Sequence, residues 1–149
     1  MRRPLREGRT VHLLDIENLT ASTSPTTPEV ERVMAAYRRL VPVGPLDQFI
    51  AAVSHRALVP VGVALRGTRL LVRSGPDGAD SILTETAVAD RVDLRFERAV
   101  IGSGDGYFAD LARWLAVAGA QVTVVTRTGS LSRRLYTATG HITYLDLAA

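Results

Sequence analysis

Six short apolar runs alternate with helix-like segments along the whole chain. They are V-H-L-L-D (11–15), D-Q-F-I-A-A-V (47–53), R-L-L-V-R (69–73), R-A-V-I-G (98–102), Q-V-T-V-V-T (121–126) and H-I-T-Y-L (141–145). Little polar alternation interrupts them, as in strands covered on both faces. Between the runs, T-A-S-T-S-P-T-T-P (20–28) reads as a loop, and Pro28 opens a helix with Val30, Val33, Met34, Tyr37 and Leu40 at helical spacing. Residues 55–65 read as a short helix interrupted or bent at Pro60, and 79–90 as a helix after the turn S-G-P-D-G. A helix from Tyr107 is closed by Gly119, and one beginning near Ser130 by Gly140. Such alternation predicts an α/β domain in which helices cover both faces of a parallel sheet. Right-handed crossovers then point all strands one way, and ligand sites gather at their carboxyl ends.

A length of 149 residues suits one domain, here 11–149, preceded by a basic segment 1–10. Hydrophobic residues at 46% and charged residues at 22% belong to a folded chain. No apolar run is long enough to span a membrane, and the basic start lacks the apolar segment of a signal peptide, so a cytoplasmic location is expected. The absence of cysteine excludes disulfides, thiolate metal sites and cysteine nucleophiles. All 18 basic residues are arginine and the net charge is +3, which reads first as a compositional bias. It still excludes a P-loop and a receiver domain, both of which need a lysine.

The first strand ends unusually. L-L-D-I-E-N-L delivers Asp15, Glu17 and Asn18, the sole asparagine, to the sheet edge. Asp105 follows the strand R-A-V-I-G, and Asp80 opens the helix after P-D-G. Each has an ordinary reading: Asp80 as a helix cap, Asp105 and Asn18 as turn residues, Glu17 as a solvated acid. Jointly, three segments bring acids to one predicted edge. Carboxylates that meet there need a cation, or their pKa values rise. Oxygen-only ligands favour Mg²⁺ or Mn²⁺, and such a site suits metal-assisted hydrolysis of a phosphodiester.

L-L-D-I-E-N-L, D-G-A-D-S-I-L and V-I-G-S-G-D-G-Y-F, in this order, resemble the NYN domains of the PIN-like nuclease superfamily, as does T-R-T-G-S-L-S-R-R-L. The resemblance runs from Val11 to about Leu145. It implies a PIN-like three-layer α/β/α fold with a central mainly parallel sheet, and a metal-dependent ribonuclease. It maps the ion-binding acids to Asp15, Asp80 and Asp105, with Asn18 orienting a water or a ligand carboxylate and Glu17 as a helper. A homodimer is also in keeping with it. Two positions depart from the family: Tyr107 and Thr86 stand where acids are common, with Glu85 adjacent to Thr86 and Asp110 one turn past Tyr107. The departures leave a second reading, a degenerate domain that binds RNA or a protein without cutting.

An RNA partner needs cations. Arg127, Ser130, Arg133 and Arg134 around the late loop are the expected substrate contacts, aided by free N–H groups of the helix near Ser130. Tyr107 and Phe108 are stacking candidates, with Phe108 better suited to the core. Arg2, Arg3, Arg6 and Arg9 suggest a flexible RNA-binding arm. A dinucleotide site fits poorly, because the glycines run Gly-x-Gly-x-Gly and Asp105 would sit in the pyrophosphate cradle. No serine-hydrolase motif is present, and His12, His55 and His141 match no catalytic pattern; His12 reads as an ordinary packed strand residue.

Overall fold

Leu13 and Leu14 show why the strands carry no polar alternation. Successive strand side chains face opposite sides of the sheet. Leu13 enters a core with Ile50, Leu83, Phe108, Leu115 and Val124, while Leu14 enters a separate one with Leu19, Val30, Tyr37, Val61 and Val125. Both sides are therefore dry, and both must be apolar.

The computed structural model describes residues 6–147. The elements are β1 (Thr10–Asp15), α1 (Ile16–Thr20), α2 (Thr27–Leu40), β2 (Gln48–Val53), α3 (Leu58–Ala64), β3 (Arg69–Val72) and α4 (Gly78–Ala89). Then follow α5 (Val92–Arg95), β4 (Arg98–Gly102), α6 (Ala109–Val117), β5 (Gln121–Arg127), α7 (Arg133–Ala138) and β6 (Ile142–Leu145). The strands form one open six-stranded sheet in the order β3-β2-β1-β4-β5-β6, with every neighbouring pair parallel. Helices lie on both faces, giving a three-layer α/β fold. Among the described residues, no helix is long and apolar enough to cross a membrane.

Local chemistry sets the helix ends. Thr26 and Glu29 form a reciprocal capping box at the start of α2, with Pro28 in its first turn. Gly119, at φ 97°, closes α6 by donating to the Ala116 carbonyl at 3.0 Å. Other expectations are corrected. The segment 55–65 is interrupted, but ahead of Pro60: a 3₁₀ turn, His55–Ala57, gives way to α3, and Pro60 lies in the first turn of α3, where its missing N–H costs nothing. The last helix starts after Ser132, whose Oγ accepts from the Leu135 N–H at 3.1 Å, and ends at extended Thr139, so Ser130 and Gly140 lie outside it. Helices α1 and α5 are too short to leave a period in the sequence.

The amino end of the sheet corrects the expected arm. Residues 1–5, including Arg2 and Arg3, lie outside the described residues. Arg6 donates to the Phe96 carbonyl at 3.2 Å, and Arg9 lies 4.6 Å above the Phe96 ring. Both are docked at the edge opposite the strand tips, so neither belongs to an arm that could reach Asp15. His12 is packed within β1 as expected, and it also carries polar partners. It is fully buried, stacked on Phe49 and in contact with the Tyr37 hydroxyl at 2.5 Å and Asp47 at 2.9 Å. Asp47 precedes β2 because its carboxylate accepts from the Thr10 and Gly44 N–H groups, each at 3.0 Å, which holds it in a turn.

Candidate functional site

From β1 the chain goes to β2 and β3 on one side, and from β4 to β5 and β6 on the other. The connections leaving β1 and β4 therefore run to opposite sides, opening the crevice where such sheets bind ligands. Asp15, the last residue of β1, is 5% exposed at its floor. It caps α1 by accepting from the Asn18 N–H at 3.4 Å, and its other oxygen accepts from the Ser103 hydroxyl at 3.0 Å. Ser103 Oγ in turn accepts from the Asp105 N–H at 3.1 Å. Asn18 Oδ1 accepts from the Gly104 N–H at 3.0 Å. One hydrogen-bonded chain thus locks the two tips together. Asp105 caps the turn that follows, accepting from the Tyr107 N–H at 2.9 Å.

Asp80 enters from the first turn of α4 and is 8% exposed. The N-cap of α4 is Asp77, at φ 54°, so Asp80 is released from the capping role. Burial, then the charges and hydrogen bonds of Asp15 and Asp105, push the Asp80 carboxyl up to about 8. Burial also raises Asp15, while hydrogen bonds from Asp80, Ser103 and Asn18 oppose the rise. The pair is thus pushed toward retaining a proton at neutral pH. No arginine figures among the charges acting on either acid.

A stability test follows. The folded pKa of Asp80 lies above its unfolded one, so the folded state binds the extra proton. Its contribution is full below the ordinary carboxylate range and is lost as pH rises through about 8. Burial lowers the His12 pKa, which confines its titration to more acid conditions. Between about pH 7 and 9, the melting temperature of the ion-free protein should therefore fall. Calorimetry with added Mn²⁺ should abolish that fall; a flat ion-free profile would contradict the retained proton.

Among the described residues, no three Asp, Glu, His or Cys side chains form an assembled ion-binding group. The donor chemistry nevertheless fits a hard divalent ion. Three carboxylates and the Ser103 hydroxyl supply oxygen only, and among the described residues no arginine acts on the charge of Asp15 or Asp80.

The acids line a cleft of about 670 Å³ together with Glu17, Asn18, Arg56 and Arg73. Glu17 is half-buried, and its carboxylate accepts from Ser54 N–H at 3.3 Å and Ser54 Oγ at 3.0 Å. The expected substrate contacts are displaced from this cleft. Arg127, Ser130, Arg133 and Arg134 do not line it. Arg133 faces a separate depression with Tyr136 and Tyr144, and Arg134 lies 3.7 Å from Asp110. The reason is backbone packing. Ser132 N–H donates to the Gly104 carbonyl at 2.8 Å, and the Ser130 carbonyl sits where a Gly104 Cβ would be. The late loop is a buttress for Asp105.

Asp110 also points away, 83% exposed and paired with Arg113. Tyr107 is 39% exposed at the rim, and Phe108 is fully buried in the core. Thr86 is buried, and Glu85 pairs with Arg73. Ser103, Ser54, Arg56 and Arg73 were not anticipated. The rule that located Asp15 would have found them, because all follow or end parallel strands.

No protein-family profile matches the chain, and no curated protein does. Among solved structures, it resembles a crystal structure of a protein of unknown function from Vibrio parahaemolyticus. The TM-score is 0.65 at 19% identity, over 98% of this chain and 97% of that one. The likeness establishes the fold alone.

Proposed function

We propose that the protein is a cytoplasmic Mg²⁺- or Mn²⁺-dependent ribonuclease of the NYN, PIN-like type. One observation carries the reading: Asp15, Asp80 and Asp105 come from three segments to one crevice, where burial and the neighbouring acids push Asp80 up to about 8. These three would hold the ion, which supplies a nucleophilic water at neutral pH and neutralises charge on the phosphodiester. Asp15 is pre-oriented by Ser103. Asp80 would hold such an ion as its ionised carboxylate. Asn18, its side-chain oxygen engaged by Gly104, positions the Asp105 loop. A binding-only domain is the second reading, favoured by Tyr107 and buried Thr86 at the acid positions of the resemblance and by Asp110 facing away.

Labelled single-stranded and structured RNAs, incubated with Mn²⁺, Mg²⁺ or EDTA, separate the two. Metal-dependent cutting that falls about 10²-fold or more in Asp105→Asn supports the nuclease. No cutting by the unaltered protein, or equal cutting by both, favours the binding module.

A further inference from the structure

The wall of the cleft facing the acids carries two arginines, and a relay of hydrogen bonds sets both in place. Arg56 sits on the 3₁₀ turn His55–Ala57 that follows β2, and Arg73 directly follows β3. Both line the same cleft as Asp15, Asp80 and Asp105. Arg73 is held by Glu85 and by the Ser81 hydroxyl at 3.2 Å. Arg56 is exposed and makes no ion pair among the described residues.

The relay begins at the acidic strand itself. Glu17, two residues past Asp15, holds the N–H and hydroxyl of Ser54. Ser54 is the N-cap of the turn that bears Arg56. The next residue, His55, meets the Ser74 hydroxyl through its N–H at 3.0 Å and through Nδ1 at 2.8 Å. Ser74 adjoins Arg73. Glu17 is thereby committed to serine donors, which leaves it poorly placed to join the other three acids. It fixes the distance between the acidic wall and the basic one.

From this arrangement we infer that Arg56 and Arg73 form the phosphate-binding wall of the cleft, with Glu17 as the positioning residue that sets it. The inference rests on the nuclease reading for the identity of the substrate, an RNA phosphodiester backbone. Its geometry is separate from that reading. A phosphate between the walls would meet guanidinium donors on one side and the carboxylate-bound ion on the other. An unpaired guanidinium provides such donors without first breaking an internal ion pair. The late-loop arginines lie outside the cleft and take no part.

Fluorescence anisotropy of a labelled single-stranded oligoribonucleotide tests this, with Ca²⁺ present to neutralise the acids at fixed ionic strength. Arg56→Ala should weaken binding about tenfold and lower the salt slope by about one charge. Arg56→Lys should recover part of the loss. Arg134→Ala should stay within about twofold of the unaltered protein. Glu17→Ala should weaken binding alone but add little to Arg56→Ala, since both act through one contact. A plain structural defect would add in full, and melting curves check that each variant is folded. Unaltered affinity in Arg56→Ala overturns the inference, as does loss confined to Arg133 and Arg134 variants or absence of binding by the unaltered protein. If Arg56→Ala loses binding while the unaltered protein cuts nothing, the basic wall stands and the nuclease reading fails.

Discussion

Asp80→Asn should make the ion-free protein melt about 5–10 °C higher at pH 8 and, on the proposed nuclease reading, should strongly reduce metal-dependent cleavage. The two effects have one origin. Near pH 8 the unaltered protein must either ionise Asp80 beside Asp15 and Asp105 or retain a proton that water would take from an ordinary carboxyl. Asparagine keeps the shape, stays neutral, and its amide donates to Asp15 as the protonated acid does. The relief is on the order of 2–4 kcal/mol, discounted from the full shift because Asp15 is raised as well. At 2–4 °C per kcal/mol for a chain of this size, the gain is easily read by calorimetry. The same change removes an anionic ligand, so cleavage should drop by about 10²–10³-fold and the stabilisation by Mn²⁺ should shrink. Lower stability in Asp80→Asn without ion would mean that the acids are not in conflict. Undiminished cutting would remove Asp80 from the site.

Gly104→Ala should cost about 3 kcal/mol or more and take activity with it. A Cβ there would stand 2.0 Å from the Ser130 carbonyl oxygen and 2.5 Å from Thr126 Oγ1. The first obstacle is backbone and the second is buried, so neither yields by a simple rotation. The late loop would have to lift, breaking the Ser132-to-Gly104 hydrogen bond and freeing the turn that holds Asp105. Gly106→Ala is a milder neighbour: its nearest obstacle is the Ser132 hydroxyl at 3.0 Å. Gly140→Ala, with open space around it, should leave the melting temperature within about 1–2 °C. A Gly104→Ala protein as stable and active as the Gly140→Ala control would show that the loop contact is dispensable.

The strands were legible because burial on both faces leaves an unbroken apolar run, and Leu13–Leu14 states that requirement in two letters. The acids were legible by one rule: residues just past parallel strands meet at one edge. That rule does not give strand order. The arginines after β5 and those after β2 and β3 look equivalent in the sequence. Only the order β3-β2-β1-β4-β5-β6, with the late loop folded onto Gly104, puts Arg56 and Arg73 in the cleft and excludes Arg133. Ser130 and Ser132 are equally good caps locally. The bond from Ser132 N–H to Gly104, a contact across the fold, accompanies the choice of the second. Glu17 carried no mark of its partner, because Ser54 lies 37 residues away.

The seam between β1 and β4 also bears on how the molecule is made. A chain leaving the ribosome presents β1, β2 and β3 first, and these can pair among themselves. The central strand then waits with one edge bare until Arg98–Gly102 has emerged. Until then Asp15 lacks Ser103, which lies 88 residues downstream, and Asp105 has not been made. The chemistry of the crevice is thus withheld from the nascent chain. A half-built polypeptide would carry Asp15 and Asp80 but not Asp105, and the three-acid crevice would be complete only when the two halves of the sheet close on each other.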